Sequence, residues 1–112
     1  HALVAMLEFY HQKKISLEQI VNKMCHSPAI CFRIKNRGFI REGFAADIVL
    51  ADLQSKWTVN RSNILYKCGW SPFEETTFNS KIKYTFVNGV AVYQDGQLQH
   101  QGSGQRLLFT LP

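Results

Sequence analysis

Residues Arg37–Leu53 read RGFIREGFAADIVLADL, and this stretch decides how the rest of the chain is organised. Its centre, Ala45–Ala51, is a nearly continuous apolar run, with Asp47 inside it and Asp52 just beyond. Ile48, Val49 and Leu50 are strand formers, and a run this short and this apolar predicts a strand covered on both faces. Gly38 and Gly43 punctuate the approach to it. The residues before the run read as helix, and those after it read as short strands and loops. The strand is the junction between two architectures.

Upstream, Leu3, Met6, Leu7 and Tyr10 fall on one stripe of an amphipathic helix. Lys13 and Lys14 suit its C-terminal turn. Ser16 and Gln19 have the capping-box spacing, and Leu17, Ile20, Val21 and Met24 repeat the apolar stripe in a second helix. Ser27 and Pro28 read as the N-cap and first position of a short third helix, Pro28–Phe32. Three such helices need a larger surface to pack on than their own stripes provide.

Downstream, Trp57 to Arg61 is a candidate short strand or extended loop, and Ser62 a candidate cap for a brief turn carrying Ile64, Leu65 and Tyr66. Cys68–Phe73, CGWSPF, predicts an ordered loop pinned by aromatic burial. Lys81–Val87 alternates, with Ile82, Tyr84 and Phe86 on one face and Lys81, Lys83 and Thr85 on the other. Asn88-Gly89 is a type I′ hairpin signal, with Val90–Tyr93 as the returning strand, ended by Asp95-Gly96. Gly102, Ser103 and Gly104 predict a flexible tail, and Leu107–Leu111 an edge strand or a docking segment. No internal repeat is visible.

The 112 residues make one small domain's worth of chain, and 46% hydrophobic content with eight Phe argues for a packed core rather than disorder. The net charge is +5, with the 13 Lys and Arg scattered along the chain. Its densest group, Arg33, Lys35, Arg37 and Arg41, reads as a solvated face, because no nucleic-acid recognition motif accompanies it. Cys25, Cys31 and Cys68 are odd in number and form no C-x-x-C pair, which predicts reduced thiols in a cytoplasmic protein. No apolar run has the length of a membrane span. The chain opens at His1 already inside a helical pattern, and is expected to be a piece of a longer polypeptide.

Candidate chemistry is sparse. His1, His11, His26 and His100 lie in no H-x-H, H-E-x-x-H or Cys/His cluster, so no metal motif is present. His11 and His26 fall near predicted helix ends, which favours solvent-facing or capping roles. Asp47 and Asp52 could be a carboxylate pair, but five positions apart on a strand they point to opposite faces, which favours structural roles. Cys68 has no nearby base, and a buried or half-buried thiol is expected. Gly102-Ser103-Gly104 lacks the lysine and helix of a phosphate loop. Trp57, Trp70 and Phe73 read as core rather than as a stacking platform. The residues assign no catalytic, cofactor-binding or metal position to this chain.

Two sets of motifs carry a resemblance. Ser27-Pro28-Ala29, Arg37-Gly38-Phe39-Ile40, Glu42-Gly43 and Ala46-Asp47-Ile48-Val49-Leu50-Ala51-Asp52 resemble a pattern common in the amidohydrolase superfamily. Lys67-Cys68-Gly69-Trp70-Ser71-Pro72-Phe73-Glu74 and Thr85-Phe86-Val87-Asn88-Gly89-Val90-Ala91-Val92-Tyr93 are narrower and resemble the end of a dihydroorotase, shared more weakly by allantoinases and hydantoinases. One departure stands out. Glu75 replaces the family's usual Gly after P-F-E, and a different turn geometry is expected there.

The resemblance implies an α+β chain: the last helices of a metal-dependent (β/α)8 TIM barrel over residues 1–37, then the C-terminal strands of a small β-sandwich over residues 38–112. It implies a zinc-dependent parent that reversibly hydrolyses dihydroorotate to N-carbamoyl-aspartate in pyrimidine synthesis. There zinc would lower the pKa of a bound water while an aspartate moves the proton. The family's metal ligands and catalytic aspartate lie upstream of the matched part, so this chain is expected to be structural and inactive alone. Its expected partners are the rest of the barrel and the N-terminal sandwich strands, with room for a homo-oligomer and without nucleic acid or membrane. The alternatives are an allantoinase or hydantoinase parent, a catalytically inactive homologue, or a free-standing interaction module.

Overall fold

The computed structural model describes residues 1–99 and 103–110. Helices α1 (Ala2–His11), α2 (Leu17–Val21) and α3 (Ser27–Cys31) come first, with a π-helical segment, Asn22–His26, between α2 and α3. Strands β1 (Ile48–Asp52), β2 (Trp57–Thr58), β3 (Thr77–Phe78), β4 (Lys81–Val87), β5 (Val90–Gln94) and β6 (Gln97–Leu98) come after them. Helices first and antiparallel strands after make the chain α+β.

The start of α2 obeys its sequence signal. Ser16 accepts from the Gln19 N–H at 3.2 Å, and the Gln19 side chain accepts from the Ser16 N–H at 2.9 Å. The expected break at Ser27 is absent: Ser27 has φ −60° and ψ −43°, so it continues the helix instead of capping a new one. The wider π turn lies just ahead of Pro28. In a regular α-helix the Pro28 ring would press on the Met24 carbonyl and leave it without a donor. The buried stripes also differ from expectation. Val4 and Leu7 are the buried residues of α1, while Leu3, Met6 and Tyr10 are half-buried. Only Ile20 is buried in α2, and Val21 and Met24 face outward.

β1, β4, β5 and β6 form a four-stranded antiparallel sheet in that order, and β2 and β3 pair separately. Among the described residues β1 is therefore an edge strand, paired on one side only, to β4. Ile48 faces Phe86 and Leu50 faces Tyr84, with a register shift between Leu50 and Ala51. The expected cover on both faces is not present within the described residues, since Val49 and Leu50 are 45% and 50% exposed. Asn88 and Gly89, at φ 51° and 81°, make the left-handed turn between β4 and β5 that their sequence predicts. Asp95 and Gly96, at φ 45° and 94°, do more than end β5, because the chain turns there into β6.

Val4, Val59 and Phe78 form the buried core, with Trp57, Ile64, Phe73 and Ile82 packed against it. The core thus lies where α1 meets the β2–β3 ribbon. Trp57 pairs with Phe78 across the ribbon and anchors its indole N–H on the Ser80 carbonyl at 2.9 Å. Asn60, not Ser62, caps the next turn, Arg61–Asn63, accepting from the Ser62 N–H at 3.0 Å. The Cys68–Phe73 loop holds Ser71 and Phe73 inward, but Trp70 is 60% exposed and does not join the core. Beyond Ser103, Phe109 bridges antiparallel to Ile34, so part of the tail does add a strand-like edge. Gly102 and Leu111 lie outside the described residues.

Candidate functional site

A concavity of about 620 Å³ opens where the start of α1 meets β4, β5 and the turn after Arg61. Ala2, Val4, Trp57, Ile82, Val92 and Leu98 give it a mainly apolar wall. His1 sits at its mouth inside an aromatic nest. Its ring stacks on Trp57 at 5.8 Å between centroids and meets Tyr66 edge-on at 5.9 Å. Tyr66 Oη and His1 Nδ1 share a hydrogen bond of 3.2 Å. An imidazole so enclosed offers packing, and no carboxylate stands among these wall residues to serve with it as an acid–base pair.

A second constellation ties α1 to the corner before β4. Glu8 takes the Asn79 side-chain amide at 2.8 Å and the Asn79 N–H at 3.2 Å, while His11 Nε2 and Ser80 Oγ share a bond of 2.8 Å. Glu8 and His11 are three apart and lie one above the other on the helix, so both reach the same corner. Ser80 is 1% exposed, and its pairing satisfies a hydroxyl that water does not reach. His11 is therefore neither a cap nor a solvent-facing residue. His26 departs from expectation in the same way, stacking on Phe39 at 4.3 Å.

The third constellation surrounds Asp47. It forms an ion pair with Arg37 and accepts the Asn88 N–H at 2.8 Å, while Arg37 also donates to Asn88 Oδ1 at 2.6 Å. Asp52 lies at the other end of β1 and accepts the Gln54 N–H at 2.9 Å. The two carboxylates serve different turns and do not converge. Arg37 is drawn out of the basic group Arg33–Arg41, which therefore is not a uniformly solvated face. Cys25, Cys31 and Cys68 are free and exposed, so the expected burial of Cys68 is corrected. His100 lies outside the described residues.

Among the described residues, two ionisable groups are clearly displaced. The Ser16 hydroxyl and the Glu18 backbone hold the Glu18 carboxyl below its ordinary range. Hydrogen bonding and charge attraction from Asp95, 3.1 Å away, raise Lys83. Both lie at the surface, far from the pattern of a buried, perturbed catalytic group. Among the described residues, no three His, Cys, Asp or Glu side chains gather as metal ligands would, and no helix is long and apolar enough to cross a membrane.

Comparison with known proteins locates this arrangement. A dihydroorotase of Pyrococcus horikoshii is 31% identical over 103 residues, which are 92% of this chain and 24% of that protein. An allantoinase of Desulfitobacterium hafniense is 31% identical over 98 residues, 88% of this chain and 22% of that protein. The solved L-hydantoinase (dihydropyrimidinase) from Arthrobacter aurescens superposes with a TM-score of 0.80 at 29% identity, covering 91% of this chain and 23% of that one. The chain thus spans about a quarter of the length of the relatives it matches. The family model described as Amidohydrolase family matches residues 2–92. The chain belongs to the amidohydrolase family.

Proposed function

We propose that this chain is the C-terminal part of a dihydroorotase-like hydrolase and serves as its scaffold. The parent would add water across the cyclic C–N amide bond of dihydroorotate, reversibly, giving N-carbamoyl-aspartate. The observation that carries the reading is the 31% identity to dihydroorotases over 92% of this chain. Residues 1–37 would complete the barrel wall, and residues 38–112 the β-sandwich. The unpaired side of β1 and the exposed Val49 and Leu50 favour further strands from the N-terminal part of the parent on that edge. Exposed free thiols fit a reducing, cytoplasmic setting.

A zinc centre does not fit the described residues of this chain. His1, His11 and His26 are committed to Tyr66, Ser80 and Phe39, and no ligand cluster forms among the described side chains. No step of the reaction is assigned to them. Zinc and its ligands would belong to the rest of the parent.

The allantoinase and hydantoinase likenesses favour a second reading, in which the parent opens another cyclic amide. Assaying the full-length parent on dihydroorotate, allantoin and a hydantoin, with and without a zinc chelator, separates the two. Chelator-sensitive turnover of dihydroorotate supports the first reading, and turnover of only another ring supports the second. Hydrolysis by the isolated 112-residue chain would overturn the scaffold assignment.

A further inference from the structure

His1 is the N-cap residue of α1, yet its side chain makes no capping bond to that helix. The ring reaches across into aromatic side chains from both strands of the β2–β3 ribbon and from the segment joining them. Trp57 and Tyr66 stand at 5.8 and 5.9 Å between centroids, and Phe73 and Phe78 at 5.8 and 6.3 Å. Aromatic pairs favour such separations. The nest is itself anchored. The Trp57 indole is held by the Ser80 carbonyl, the Phe73 N–H donates to the Ser71 hydroxyl at 3.1 Å, and Phe78 is buried against Val4 of α1. Each of these contacts joins two residues of this chain, so none depends on what the rest of the parent covers.

The place of His1 gives the nest a consequence, which rests on the assignment of residues 1–37 to the barrel wall. In such a barrel every strand leads through a loop into its helix, and those loops build the active face. As the N-cap of α1, His1 ends one of them. Buried Val4 and Leu7 fix the side of α1, and the nest fixes its start. A small displacement of groups around a reacting centre is costly, up to about 100-fold in rate for 1 Å. We infer that His1 is a positioning residue: its ring, gripped by Trp57, Tyr66, Phe73 and Phe78, sets the end of an active-face loop for the parent's reaction.

The form of the grip says which property of the ring matters. Only Tyr66 offers the imidazole a hydrogen bond, at 3.2 Å, while the other three partners meet it with ring surfaces. A flat ring of another kind therefore keeps most of the hold, and a methyl group keeps almost none.

The test compares His1→Ala and His1→Phe in the full-length parent, on the cyclic amide that the wild type hydrolyses. His1→Ala should lower kcat/KM at least about tenfold, and His1→Phe should recover most of the loss. Tyr66→Leu, which removes one wall of the nest and leaves α1 untouched, should give a smaller loss, and it carries the comparison if His1→Ala does not fold. Asp47→Ala, destabilised at the β4–β5 turn, should keep the wild-type kcat/KM at a temperature where it is folded. Hydrogen exchange gives a readout separate from turnover: amides just upstream of His1 should exchange faster in His1→Ala and as in the wild type in His1→Phe. Unchanged kcat/KM and exchange in His1→Ala and Tyr66→Leu would overturn the inference. So would a His1→Phe variant as impaired as His1→Ala, which would give the imidazole a chemical role, or an equal loss in Asp47→Ala, which would trace the effect to stability. A wild-type parent that opens no cyclic amide would defeat the hydrolase assignment instead, and exchange alone would then decide whether His1 holds the loop.

Discussion

Arg37 and Asp47, ten positions apart, form an ion pair that holds the approach to β1 against the strand's first turn. Asp47 also receives the backbone N–H of Asn88, so one carboxylate fastens the β4–β5 hairpin turn to the chain entering β1. The Gly89 N–H donates to the Ala46 carbonyl at 3.0 Å and reinforces the same junction. Asp47→Ala removes both acceptors and leaves Arg37, whose side chain is only 15% exposed, without its counter-ion. A loss of about 1–3 kcal/mol in unfolding free energy is expected. Urea denaturation of the full-length parent checks it. A midpoint that does not move would mean the junction is held by the backbone bonds alone.

Gly38 crosses the helical segment at contact distance. A Cβ placed on it would lie 2.4 Å from the Ala29 Cβ and 2.8 Å from the Cys25 carbonyl oxygen, and the residue sits at φ 81°. Neither neighbour is a flexible side chain that swings aside. Gly38→Ala therefore combines left-handed strain with overpacking, and a cost of at least about 2 kcal/mol is expected. Gly43, at φ 77°, has open space where its Cβ would stand, so Gly43→Ala should cost less than Gly38→Ala. Comparing the two variants by thermal melting isolates the contact from the backbone angle.

The parts legible in the sequence are those set by local chemistry. Ser16 with Gln19 and Asn88 with Gly89 specify their own backbone, and the structure carries both. Features that depended on distant surfaces were not legible. The apolar run Ile48–Leu50 reads as a strand, yet nothing in its letters tells that β4 takes only one of its sides. Trp70 and Cys68 have burial-prone side chains, but here they ride an exposed loop. His11 gave no spacing signal for Ser80, 69 positions away. The Arg37–Asp47 pair lay inside the Arg37–Leu53 stretch as opposite charges ten apart, too far for a helix or strand rule to join them.

Glu75 tests how this chain tolerates its departure from the family's glycine. Its φ is 67°, so Glu75 occupies the left-handed region that glycine adopts at little cost. Two hydrogen bonds hold it there. The Glu75 N–H donates to the Val59 carbonyl and the Thr76 N–H to the Phe73 carbonyl, each at 2.8 Å. A side chain in this conformation carries about 1–2 kcal/mol of strain that glycine lacks, partly offset by glycine's greater freedom when unfolded. Glu75→Gly should therefore stabilise the fold by about 0.5–1 kcal/mol. A higher urea midpoint at an unchanged slope is the expected reading, and a lower midpoint would show that the Glu side chain contributes more than its strain costs.

The capping box at Ser16 carries the clearest pH dependence. Its hydroxyl, with the helix's own backbone at Glu18, lowers the Glu18 carboxyl in the folded chain. A depressed folded value means that the contribution is fully present above the unfolded carboxylate range. It is lost as pH falls through the lowered value. Ser16→Ala should remove the acceptor for the Gln19 N–H, costing about 1 kcal/mol at neutral pH, and let Glu18 titrate nearer its ordinary range. Side-chain carbon chemical shifts tracked between neutral and acid pH read the titration directly. If Glu18 titrates alike in both proteins, the Ser16 hydroxyl is not what holds it down, and the backbone N–H of Glu18 is left as the cause.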